Sequence, residues 1–382
     1  MLKSLIGLND GEGTQTGPVS TPSVTNTGTL IESSTVSPAA LAAGETVLLT
    51  PASDTREINL TSSGVAFLCS LLAGTTGQRK WLRNTGAYSI TLGHDEGASY
   101  GGAAAANCFA CPDAIPYVLR PGAAVEVMYT GSRWRVLGVN VFAPGGRLCP
   151  PTIAEFKERT AFTPTHLWPC DDGGLGSGQP LREANNANLT VGGTPLFDFK
   201  LGGYRGVQIT EGGNGWRDDV ADPGANSIIV GAFYGHGALV SDNIIAGRVE
   251  VLTASRRAYV GTKAAGKASA YFHDGTTLLI PEANKLVDDS IVRLTIGQLD
   301  KVAALARCRV SGRGEAAVAS PDVDASAIGT ISGGDTPRNT VGRAGLTGSV
   351  VNTFVGGVFQ IYGATAAGAN TAAKIAHRLG ME

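Results

Sequence analysis

The sequence predicts an all-β protein, and three observations carry that prediction. Short apolar or alternating runs recur at roughly ten-residue spacing, each closed by Gly, Pro, Asp or Thr. Glycine supplies 53 of 382 residues with no Gly-X-Y period, so the excess marks turns between strands. Only one stretch, "TAAKIAHRLGM" near the end, carries a helical stripe, through Ala372, Ile375, Ala376 and Leu379.

Taken in order, residues 1–44 read as an extended arm. From residue 11 onward it is rich in Gly, Thr, Ser and Pro, too polar to build a core, and it is expected to order only against a partner. Residues 45–143 read as a small antiparallel β module, with "ETVLLT", "REINLT", "AFLCSLL", "KWLRNT" and "YSITLG" as its first strands. "VEVMYTGSRWRVLG" closes it as a hairpin, in which Val125, Val127 and Tyr129 alternate opposite Trp134, Val136 and Gly138 across the turn at Thr130-Gly131-Ser132.

Residues 144–165 read as a linker, punctuated by Gly145-Gly146 and Pro150-Pro151. Within it "TIAEFKERTAF" forms a short helix, with Thr152 as N-cap and Glu155 completing a capping box. Residues 166–382 return to strands such as "GYRGVQIT", "SIIVGAFYG", "SIVRLTIGQL" and "FVGGVFQIYGA", which with one terminal helix predict a two-sheet sandwich.

Composition excludes several functions. Thirty basic against 32 acidic side chains give a net charge of −2, which offers no pull on a polyanion, so nucleic acid is not an expected partner. "MLKSLIGLNDGEG" lacks the apolar region of a signal peptide, and no run approaches the ~18 apolar residues of a membrane span. A chain made in a cytoplasm, without membrane insertion, is expected. Cys69, Cys108, Cys111, Cys149, Cys170 and Cys308 are too sparse for a disulfide scaffold and read as buried small hydrophobes.

The chemistry-bearing motifs are few. "GTKAAGKA" nearly matches a phosphate loop, but Ala268 stands where the magnesium-binding hydroxyl belongs and a strand-like run follows, so it reads as a hairpin turn. The acidic pairs Asp171-Asp172, Asp218-Asp219 and Asp288-Asp289 are adjacent residues, not the same-face spacing that a glycosidase needs. No enzyme and no cofactor are expected. For glycan binding, Trp216 in "GGNGWRDD" is the best anchor, with Asn214, Arg217 and Asp218 around it in a loop; the alternative is a Trp plugging the sandwich edge. Trp81, Trp134 and Trp168 are expected in the core.

The motifs also carry two resemblances. From about residue 166 to 380, "HLWPCDDGG", "YRGVQITEGGNGWRDD", "SIIVGAFY", "DDSIVRLTIGQLDKVAALARCRVSGR" and "FVGGVFQIYGATAAGANTAAKIA" follow in the order of the concanavalin A-like, laminin-G-type lectin superfamily, which this region resembles. That likeness implies a jelly-roll sandwich with a short C-terminal helix. It also implies a Ca2+ site on the rim loops, for which Asp171, Asp172, Asp218, Asp219 and Asp222 are the candidate oxygen ligands. Ordinary turn chemistry is the competing explanation of those aspartates.

The middle module, through "RKWLRNTGAYSITLGHDEGAS" and "YVLRPGAAVEVMYTGSRWRVLG" with Gly131, Trp134 and Arg135, is similar to a module of bacteriophage tail fibres and other virion proteins. Together the two resemblances imply a non-enzymatic virion surface protein. It would be a homotrimer, joined to other virion proteins through its arm, with the lectin-like domain facing a host cell-surface glycan. A fibre or receptor-binding role is expected, with capsid decoration and polysaccharide depolymerisation as the alternatives.

Overall fold

The computed structural model describes residues 35–52, 54–138, 147–170, 190–192, 196–209, 214–218, 227–236, 243–250, 256–263, 266–286, 291–329, 331, 337–342 and 353–382. The arm up to residue 34 lies outside them, as do Asp171, Asp172, Asp219 and Asp222. The fold is all-β, a small β module followed by a jelly-roll-like sandwich and a short C-terminal helix.

The first module is not the antiparallel unit that the sequence suggests. Strands β1 (Thr35–Val36), β2 (Gly44–Thr46), β3 (Glu57–Leu60), β4 (Ala66–Leu68), β5 (Arg79–Asn84) and β6 (Ile90–Leu92) wind as a coil. In it β1, β3 and β5 pair parallel in one sheet, while β2, β4 and β6 pair parallel in another. Alternation identifies a strand but says nothing about the direction of its partner. The short connections that read as hairpins carry the chain from one sheet to the other. Inside the coil Ile58, Leu60, Leu68, Leu82, Ile90 and Leu92 stack without solvent exposure.

Antiparallel pairing enters only at the end of the coil. There β7 (Tyr117–Leu119) joins β6, β8 (Ala124–Tyr129) joins β5, and β9 (Trp134–Val136) joins β8 with Trp134 opposite Tyr129 and Val136 opposite Val127. Gly131 at the turn has φ +96°, a conformation that L side chains rarely adopt. Trp134 is fully buried and its indole N–H donates to the Leu72 carbonyl at 3.0 Å. Trp81, expected in the core, is instead 42% exposed.

Helix α1 (Ile153–Thr160) starts where the capping signal placed it, the Thr152 hydroxyl accepting the Glu155 N–H at 3.1 Å. Two sheets follow. Among the described residues, one runs through Leu196–Leu201, Tyr204–Ile209, Thr353–Tyr362, Ser227–His236, Arg293–Asp300, Leu305–Ser311 and Val318–Ala319. The other runs through Thr190–Gly192, Asn214–Asp218, Pro337–Gly342, Asn243–Glu250, Arg256–Lys263, Lys267–Asp274 and Leu278–Leu279. Between them Val230, Ala232, Val260, Ala270, Phe272 and Val355 form the sandwich core. Burying a side chain of the size of Val or Phe contributes about 1.5–3 kcal/mol each.

The first of these sheets is covered on both faces. Its strand "RLTIGQLD" is buried at every position, because Leu294 and Ile296 pack away from the sandwich core beneath α1 and α2 (Thr371–Arg378). Phe156 of α1 meets Phe359 with ring centroids 5.0 Å apart, and Ile375, Ala376 and Leu379 of α2 fill the same layer. Ser89 and Thr91, beside and within β6, bond to the Glu158 carboxylate and carbonyl of α1. The helices therefore form a shared floor between coil and sandwich.

Candidate functional site

The second sheet of the sandwich brings several chemistry-bearing positions onto one face. Trp216 does not sit in a loop: it is the middle residue of the strand Asn214–Asp218, paired with Thr190 on one side and Thr340 on the other. Thr340 pairs with Gly247, Gly247 with Tyr259, and Tyr259 with Tyr271, so one row crosses the sheet from Trp216 to Tyr271. A Cβ on Gly247 would lie 2.4 Å from the Cβ of Tyr259, which is why that crossing point carries glycine.

Strand alternation sorts the predicted glycan residues. Asn214, Trp216 and Asp218 share a face, whereas Arg217 shares its row with Asn339, Arg248, Ala258 and Phe272, the last two of which are in the core. Asp218 is paired in register with Arg338, and the remaining candidate calcium ligands lie outside the described residues. Among the described residues no group of three or more His, Cys, Asp or Glu is placed to hold a metal ion.

At the far end of the row the side chains are defined. Tyr259 and Tyr271 stack with ring centroids 4.4 Å apart and are nearly buried, with Ile280 packed against them. The Arg257 guanidinium lies 5.8 Å from the Tyr259 centroid, and His273 stands opposite Arg257. Arg257 Nε and His273 Nδ1 are both buried without a hydrogen-bond partner among the described residues. Burial, then the Arg257 charge, holds the His273 imidazole below its ordinary value, so the ring is neutral near pH 7. With both rings buried, the pair braces this end of the sheet and leaves no open aromatic plane for a ligand.

Sequence reading missed a second polar centre, where the coil meets α2. Arg378 and Glu96 are fully buried and bond at 2.8 and 2.9 Å through both carboxylate oxygens. The same guanidinium donates to the Thr160 carbonyl at 2.8 Å, reaches Glu45 at 3.2 Å and lies 3.8 Å from the centre of the Phe67 ring. Lys374 bonds Glu45 at 2.9 and 3.0 Å. Burial works to raise the Glu45 carboxyl, but Arg378 and Lys374 outweigh it and hold it below its ordinary value.

His377 extends the contact, its ring stacked 4.0 Å from Tyr100 and its Nε2 bonded to the His94 carbonyl. His94 Nδ1 accepts the Cys111 N–H at 3.0 Å, and burial, then His377, pushes its pKa down to about 4. Glu382 closes the set, taking bonds from Arg309 and Ser311 and facing the Tyr100 hydroxyl. These groups bond one another, which makes the centre a fastening. The one signal in the sequence is Arg378 itself, a cation next to the apolar stripe of its helix.

The remaining motifs are structural. Arg256–Lys263 and Lys267–Asp274 form a hairpin with Lys263 opposite Lys267, both lysines within 3.4 Å of Glu282. All six cysteines are buried thiols, and burial pushes Cys108 up to about 11.

No protein-family model matches the chain, and no curated protein sequence matches it. Among solved structures it is similar to the CBM40 domain of a Ruminococcus gnavus IT-sialidase bound to alpha2,3 sialyllactose, at 14% identity over 44% of this chain and 93% of that one, TM-score 0.34. It is also similar to the LG1-3 region of the laminin alpha2 chain, at 10% identity over 40% and 29%, TM-score 0.31. A third is the botulinum neurotoxin serotype D binding domain, at 8% identity over 56% and 51%, TM-score 0.40. At these values no residue role is carried across.

Proposed function

We propose that the chain is a non-enzymatic surface protein of a bacteriophage virion, attached through its arm and coil, with the sandwich turned outward to engage a glycan on a cell. The observation that carries the display reading is the buried fastening between coil and sandwich, Arg378 with Glu96 and Glu45, which holds the outward domain stiffly on its base. The resemblance of residues 79–138 to tail-fibre modules supports the virion assignment and a fibre or receptor-binding role over capsid decoration. Glycan engagement is supported by the laminin-G-type resemblance of residues 166–380 and by the polar strand Asn214–Asp218 that carries Trp216.

Electron microscopy of particles lacking the protein tests the placement. Missing tail density with lost adsorption is expected; missing capsid density with intact tails and normal adsorption would replace the fibre role with decoration. The mass of the intact protein in solution tests the homotrimer, which a monomer would contradict.

A further inference from the structure

The coil carries an inversion of ordinary burial. In β5, "RKWLRN", side chains alternate outward and inward, and the register turns Lys80 in, at 2% exposed, and Trp81 out, at 42% exposed. Burial alone selects the opposite, since Lys is almost never fully buried and a large aromatic on a sheet face gains by being covered. The protein stabilises the inward lysine through a bond from Nζ to the Thr55 carbonyl. An arrangement that sets a Trp in solvent and a Lys inside calls for a use of the Trp.

The surroundings of Trp81 say what that use is. Glu57 and Glu126 are its direct neighbours on the two adjoining strands, and Arg79 and Arg83 flank it along its own strand on the same face. Arg79 bonds Glu126 at 3.2 Å and Arg83 bonds Glu57 at 2.9 Å, so both ion pairs lie beside the indole and fix four polar groups around it. Two cations and two anions leave the ring of charges neutral.

We propose that this face of the coil, centred on Trp81, is a binding platform for a neutral sugar, one hexose ring stacking on the indole while its hydroxyls bond the flanking guanidinium and carboxylate groups. A sugar ring presents an apolar C–H face edged by hydroxyls that both donate and accept, which matches an aromatic plane edged by fixed donors and acceptors. A protein partner fits poorly, because the core of a protein interface is depleted of charged residues and here they surround the only large exposed ring of the strand. An acidic ligand would meet two carboxylates at the ring edge, whose arginine partners are already paired; Arg135, exposed on the same face opposite Met128, lies two strands from the indole. The platform lies on a different module from the Trp216 row and does not depend on the function proposed above.

The test is binding of the intact labelled chain to a printed array of neutral hexose oligosaccharides and of sialylated and uronic-acid oligosaccharides. Binding to neutral members is expected, weakened about tenfold or more by Trp81→Ala and several-fold by Glu126→Gln. Trp81→Ala should keep the wild-type fold by circular dichroism and a cooperative melt, since 42% of the residue's surface is exposed and the core of the coil lies on the other face. Binding that ignores Trp81→Ala, binding confined to acidic glycans, or no binding would overturn the proposal. So would a change of oligomeric mass in Trp81→Ala, which would make the face a contact between copies. Loss with Trp216→Ala alone would leave the proposed function standing while removing this platform.

Discussion

His94 shows how much of this protein is decided by single contacts that no local pattern announces. Its Nδ1 must stay unprotonated to accept the Cys111 N–H, and its pKa lies at about 4 in the folded protein against about 6.5 in an unfolded chain. Between those values the unfolded chain binds more protons, so stability falls as pH drops from about 6.5 to about 4. Glu45, held below its ordinary value, adds a loss at the lower end of that window, as pH falls through its folded value. Urea denaturation between pH 7 and pH 4 should therefore show a steady decline, on the order of 3 kcal/mol from His94. His94→Asn, whose side-chain oxygen can accept the same N–H, should flatten the upper part of that decline. An unchanged slope in this variant would remove His94 as its source. No local pattern marks either histidine: Cys111 lies 17 residues beyond His94, and His377, which bonds the His94 carbonyl, lies 283 residues away in sequence.

At the scale of elements, local signals were legible wherever the determining contacts are local. The closing hairpin, the cap of α1 and the apolar stripe of α2 are where the sequence puts them, because turn chemistry, capping and helical periodicity all act within a few residues. The parallel coil was not legible, since the difference between a hairpin and a crossover to a second sheet lies in the partner strand. The strand placement of Trp216 and the exposure of Trp81 were missed for the same reason. The floor between the modules gives the element-scale prediction. Removing the cap with Thr152→Ala should cost about 1 kcal/mol, whereas Phe156→Ala should cost about 3–5 kcal/mol, because Phe156 is fully buried against Phe359. Equal effects in equilibrium unfolding would mean that α1 is a linker and not part of the core.

At the scale of the whole molecule, the coil and the sandwich share one floor and one buried charge centre, so they should behave as a single cooperative body. Breaking a buried ion pair leaves an uncompensated charge and costs about 3–5 kcal/mol, while removing both partners costs less than the sum. Arg378→Met alone should strand Glu96 and uncouple the modules, and Arg378→Met with Glu96→Leu should recover part of the loss; strict additivity would contradict the coupling. A rigid body of this kind suits display on a particle. The most direct measurement is calorimetric unfolding of the intact chain at pH 7. One transition, splitting into two in Arg378→Met, is the predicted result. Two separate transitions in the unaltered protein would contradict the fastening and the display reading that rests on it.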